Sequence, residues 1–310
     1  MEKSVFTSDV VSMVEARLGR RSFVRRAGML GLGAAAAGLT LVNAKPARAE
    51  KDTAAERQQE SAQIKDTVAQ IFTAALIAED LATTFYYNAL IGGVIQDVNL
   101  AGPGGSATNV TAAGNFGNVA YIRAALTEEI AHANLFRSLL GITDSSKDPV
   151  QTFYFPAGTF DTLAAFTGLL DALENAFIGA YLNAIQEFAT MAARQRAGFD
   201  RGGSGDDHED EKSKYTAEQL EYFAKVAASI MGIESEHRVL GRVISNSNPA
   251  NNLNYEQTDG LNAVYNGPKS AVAALTPFLT PSTGPAFSFA YALANQGSVS
   301  EPVMGGPPAF

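Results

Sequence analysis

The chain has 310 residues, with 32 acidic and 23 basic side chains, no cysteine, no tryptophan and three histidines. Without cysteine there is no disulfide scaffold, thiolate zinc site, iron–sulfur cluster or cysteine nucleophile, so any metal must be held largely by carboxylates. A formal charge of −9 sets nucleic acid aside as a partner, and 46% apolar residues are ample for a core.

Residues 1–49 read as a targeting peptide. Arg20-Arg21-Ser22-Phe23-Val24-Arg25 pairs two arginines ahead of an aromatic and a further basic residue. A mildly apolar run from Ala27 to Val42 follows, then the small-x-small sequence Ala47-Arg48-Ala49. These features resemble a bacterial twin-arginine export signal with cleavage near Ala49. The run is rich in Gly and Ala and lacks the roughly 20 strongly apolar residues of a stable membrane span. Gly31-Leu32-Gly33 with Ala36 imitates the start of a dinucleotide fingerprint, but no strand precedes it. The segment holds eight basic and three acidic residues, so the remainder carries 29 acidic and 15 basic groups, a net −14. The resemblance implies passage across the membrane in the folded state and a periplasmic or extracytoplasmic location.

Beyond the leader, four segments show helical patterning without internal proline. The first is predicted from about Thr53 to Ile91, apolar from Val68 onward. A loop dense in Gly, Asn, Ala and Thr spans Gly92 to Gly117. The second helix is predicted from Asn118 to Leu140, stopped by Gly141, and the next connector contains Thr152-Phe153-Tyr154-Phe155, which reads as extended. Thr162 to Arg196 gives a third helix. An acidic, glycine-containing loop with His208 follows at 200–211. A fourth helix is predicted from Thr216 to Ser245, where Thr216 and Gln219 fit a capping box. From Asn248 only four charges remain (Glu256, Asp259, Lys269, Glu301), with a short fifth helix expected at Lys269–Leu275. The aromatic residues of this tail (Phe278, Phe287, Phe289, Tyr291, Phe310) suggest packing against the bundle or a neighbouring subunit. The expected architecture is all-α, a four-helix bundle at 50–247 with a C-terminal extension at 248–310.

The chemistry lies in how acids and histidines fall on these helices. Glu79 sits in an apolar stretch of the first, and Glu174 in one of the third. The second carries Glu129-Ile130-Ala131-His132, preceded by Glu128, and the fourth carries Glu234-Ser235-Glu236-His237. A spacing of three brings glutamate and histidine to one face, a turn apart. One such motif is ordinary on a solvated helix; two among three histidines are harder to ascribe to chance. Four carboxylates and two imidazoles facing inward make a ligand set for two iron or two manganese ions, with four negative charges against two divalent cations. There is also an internal repeat. Glu79 to Glu174 and Tyr86 to Tyr181 are each separated by 95 residues, and Glu129 to Glu234 and His132 to His237 by 105. Each tyrosine stands seven residues after its glutamate, close to two turns, and so on the same face.

This order, Glu-x6-Tyr, Glu-x-x-His, Glu-x6-Tyr, Glu-x-x-His, resembles the ferritin-like superfamily, over about residues 62–247. The whole chain is similar to exported bacterial ferritin-like proteins of the desiccation-related type. The resemblance implies metal ligation by Glu79, Glu129, His132, Glu174, Glu234 and His237, with Glu129 and Glu234 bridging, or Glu174, according to subfamily. It gives Glu128 the role of hydrogen-bonding a ligating histidine. Ile233, at the matching place in the second half, departs from that pattern, with Glu236 and Asp80 as the acids nearby. Tyr86 and Tyr181 carry two readings, packed aromatic residues with one satisfied hydrogen bond or a role beside the metals. His208 reads as part of a solvated charged loop.

The functional expectation is a dimetal oxidoreductase of ferroxidase, peroxidase or catalase type acting on dioxygen, hydrogen peroxide or Fe(II). Lacking cysteine, it would take electrons from an external donor. The alternatives are a non-catalytic ferritin-like stress or scaffold protein, and iron storage. A homo-oligomer without nucleic acid is expected.

Overall fold

The computed structural model describes residues 66–92, 94–95, 113–197, 214–247, 250–251 and 274–298. The leader, the segment before Asp66 in the first predicted helix, and the acidic loop with His208 lie outside the described residues. Four long helices dominate: α1 (Val68–Ile91), α2 (Ala113–Leu140), α3 (Leu163–Arg196) and α4 (Ala217–Ile244). With a short α5 (Phe289–Asn295) and two three-residue strands, β1 (Thr152–Tyr154) and β2 (Ala286–Ser288), the fold is all-α in class.

The helix ends follow local chemistry. Thr67 and Thr216 each open a helix with a reciprocal bond to the glutamine three residues on, Gln70 or Gln219, satisfying two otherwise orphaned donors. The Thr162 hydroxyl accepts from the Ala165 amide at the start of α3. At the close of α2, Gly141 takes φ 71° and the Ile142 amide reaches back to the Arg137 carbonyl at 2.8 Å. Asn246 does the same for α4 at φ 59°, with Ser247 bonding the Arg242 carbonyl. Both are left-handed caps of the kind Gly and Asn tolerate. α2 begins at Ala113 rather than Asn118; helix context there overrides the weak propensity of Gly114 and Gly117.

The described residues fall into two compact units, one within Ala75–Leu169 and Leu275–Phe310, the other within Thr40–Ala74 and Leu170–Ala274. The first unit contains most of α1, all of α2, the connector, the start of α3 and the C-terminal arm. Its core is an aromatic cluster. Phe85 stacks on Phe166 at 4.8 Å, and Phe155 packs with Phe278 at 5.8 Å and Phe287 at 5.4 Å. Residues 275–298 of the extension, the C-terminal arm, therefore pack on this unit. β2 pairs antiparallel with β1, Phe153 opposite Phe287, a strand not foreseen in the tail. Most of the expected helix at Lys269–Leu275 lies outside the described residues. The chain then runs as a 3-10 turn at Thr276–Leu279, and the described helix of the arm comes later, as α5.

In the second unit Phe72, Phe188 and Phe223 form a triangle with centroids 4.9–5.7 Å apart, and Gly241 of α4 lies so close to Leu170 of α3 that an added Cβ would require the leucine side chain to shift. α1 and α3 are long and apolar enough to cross a membrane by composition alone. Much of their apolar surface is instead buried in the protein, including Leu76, Leu81, Phe85, Leu170 and Ile178.

Replacing Gly141 by Ala or Thr216 by Ala should each lower stability by about 1 kcal/mol, through a strained positive φ and a lost cap respectively. Urea denaturation of the single variants measures both.

Candidate metal centre

Within the first unit, α1 contributes Glu79 and α2 contributes Glu129 and His132. The chosen ligand atoms of these three residues lie within 4.8 Å of one another. His132 Nδ1 is 3.2 Å from Glu79 Oε2 and 3.7 Å from Glu129 Oε2. Glu129 is fully buried and Glu79 nearly so, while the His132 side chain keeps 13% exposure. Within the second unit, α3 contributes Glu174 and α4 contributes Glu234 and His237, again within 4.8 Å. His237 Nδ1 stands 3.3 Å from Glu234 Oε2, and all three side chains are buried.

The donor sets fit first-row divalent ions. Metal–ligand bonds of about 2.0–2.2 Å place adjacent ligands about 3 Å apart, close to the separations seen between imidazole and carboxylate. Each set offers two carboxylates and one imidazole, a hard to borderline combination suited to iron or manganese. Two ionised carboxylates in an apolar helix pair are costly without a compensating positive charge, and one divalent ion per cluster would supply it.

Tyr86 and Tyr181 are both buried, at matching positions on α1 and α3. Glu128 is half-buried beside Glu129. Glu236 is exposed, and Asp80 is engaged elsewhere.

That engagement was not anticipated. Arg137, five residues after His132, is buried on α2 and reaches Asp80 of α1 at 2.7 Å and Asp148 of the connector at 2.7 Å. Its guanidinium also bonds Asn134 at 2.9 Å and lies 5.5 Å from the centre of the Phe289 ring. Burial drives the Asp80 carboxyl well above the usual carboxylate range; Arg137 opposes the shift and Asp148 adds to it. Burial also raises Asp148, with the hydrogen bond from Arg137 pulling the other way. In the second unit Arg242, five residues after His237, bonds Asp171 of α3 at 2.7 Å, and Arg238 bonds Asn175 at 2.9 Å. The sequence signal was available: Glu-x-x-His-x4-Arg occurs twice, and the arginines, like the histidines, are 105 residues apart.

Residues 67–198 match the family model of the ferritin-like domain, a stretch covering α1, α2 and α3 with Glu79, Glu129, His132 and Glu174. The match supports the ferritin-like superfamily, and the all-α helices fit a ferritin-like bundle. Searches of curated proteins and of solved structures returned no match.

Arg137→Met leaves Asp80 and Asp148 buried without their cation and should cost about 3–5 kcal/mol. Arg196→Met removes only exposed pairs with Glu218 and Glu221 and should stay within about 0.5 kcal/mol. Chemical denaturation of the two variants tests the contrast.

Proposed function

We propose that this chain is an exported dimetal-carboxylate protein of ferritin-like type, holding two iron or two manganese ions and reacting with dioxygen or hydrogen peroxide. The observation that carries this reading is the occurrence, in each unit, of one buried cluster of two glutamates and a histidine on paired helices. The repeat spacing and the family match over 67–198 support it.

In this reading Glu79, Glu129 and His132 of the first unit and Glu174, Glu234 and His237 of the second would hold the ions. The bound ions supply paired one-electron changes, as reduction of dioxygen or peroxide by two electrons requires. The protein's part is to hold carboxylates ionised in a dry interior and to keep bulk water out. Tyr86 and Tyr181, buried two turns along α1 and α3 from Glu79 and Glu174, are assigned to the surroundings of the clusters on the ground of the repeat spacing alone. Glu128 takes, in this reading, the place of the acid that orients a ligating histidine, as the resemblance implies. Fe(II) is the substrate if the activity is that of a ferroxidase; for peroxide reduction, electrons come from a separate donor. The protein works as a homo-oligomer in the periplasm or outside the cytoplasm, delivered by the twin-arginine route, in protection against oxidative or desiccation stress.

The test is metal content with turnover. Purified from cells supplied with both metals, the chain beyond residue 49 should carry about two Fe or Mn per polypeptide. Fe(II) oxidation or peroxide loss should fall at least about tenfold in Glu129→Ala. A wild-type protein that binds neither metal overturns the reading. Metal binding with turnover unaffected by Glu129→Ala would assign it to the non-catalytic class.

A further inference from the structure

The buried arginine of the first unit is joined to a part of the chain remote in sequence. β2 pairs with β1, and directly after it the Phe289 amide donates to the Gln151 carbonyl at 3.1 Å. The Gln151 side-chain amide in turn donates to the carbonyls of Ser145 at 2.9 Å and Asp148 at 3.2 Å. These bonds fix the 3-10 turn Ser145–Lys147, whose C-terminal flank is Asp148. Asp148 holds Arg137, Arg137 holds Asp80, and the Phe289 ring, itself 1% exposed, lies over the guanidinium. Asp80 is the residue after Glu79. One continuous chain of contacts therefore runs from the C-terminal arm to the turn of α1 that carries a metal-binding carboxylate.

We infer that the C-terminal arm is a positioning element of the first metal cluster. By fixing Asp148 and covering Arg137, it sets the register of α1 against α2 and thereby the placement of Glu79 relative to Glu129 and His132. The inference rests on the metal-binding reading above. The second unit is built differently at the equivalent point: Arg242 bonds Asp171, whose side chain is 38% exposed, and the carbonyl of Ala250 at 3.4 Å. A change in the arm should then weaken one metal site and leave the other as it was. Groups that orient ligands from behind typically contribute 10–100-fold to metal affinity, which sets the expected effect.

The experiment is Mn(II) titration of metal-free protein with its full C-terminal arm, following the free-ion EPR signal. Phe289→Ala is combined with His237→Ala, which disables the second cluster, and separately with His132→Ala, which disables the first. In the His237→Ala background Phe289→Ala should weaken the remaining site about 10–100-fold, and Phe289→Tyr, which restores a ring over Arg137, should recover most of it. In the His132→Ala background Phe289→Ala should leave the remaining affinity unchanged. Asp148→Asn carries the same comparison should Phe289→Ala fail to fold. Two bound ions in the wild type with affinities unmoved by these arm variants overturn the arm's role alone. Equal losses in both backgrounds also overturn it, because they mark general destabilisation. A wild type that binds neither Mn(II) nor, in a parallel anaerobic titration, Fe(II) overturns this inference together with the metal-binding reading.

Discussion

The constraint on which the structure turns is the burial of glutamate carboxyl groups. Glu129 and Glu234 are fully enclosed, and Glu79 and Glu174 are nearly so, on helices whose other buried residues are mostly Ala, Leu, Ile and aromatic. An isolated carboxylate in such surroundings either takes up a proton or finds positive charge. One histidine cannot by itself balance two ionised carboxylates. The clusters are thus built in a way that favours a divalent cation, and the long capped helices provide the rigid backbone that holds three ligand atoms together.

A second tier of charge stands behind the first. Arg137 and Arg242 are both buried, and each ties its helix to an aspartate on the other helix of its unit. Burial is the largest cause of the upward displacement of Asp80 and Asp148, and Arg137 opposes it at both. A buried ion pair adds little net stability, since desolvation offsets much of the attraction. Its geometric consequence is clearer: a planar guanidinium with bonds in two directions resists sliding of one helix past another. The first unit adds the C-terminal arm to this arrangement, so the two halves of a repeated motif are supported by different means.

Local rules made several features legible in advance. The Thr-x-x-Gln start of α4, the stop at Gly141 and the extended Thr152–Tyr154 segment depend on neighbours within a few residues, and the structure has all three. The repeated Glu-x-x-His was equally visible, because a spacing of three on a helix is a statement about one face. The start of α2 was missed, since glycine propensity is a weak term beside helix context. The partners of Arg137 lie 57 and 11 residues away, and no periodicity encodes such a pairing. β2 was invisible for a related reason: a three-residue strand has no alternation of its own and exists only because β1 offers an open edge.

The amino-acid sequence by itself thus determined the helices, their caps and the residue types able to bind metal, all consequences of short-range backbone and side-chain chemistry. It also carried the 105-residue repeat that extends from the histidines to the arginines. Only the tertiary structure decided which aspartates neutralise those arginines, that Glu79 is brought within 3.2 Å of His132, and that the arm packs over Arg137. Those outcomes depend on which apolar faces find each other. Hydrophobic burial is non-directional, so the residues it brings into contact are settled by packing in three dimensions and not by their order along the chain.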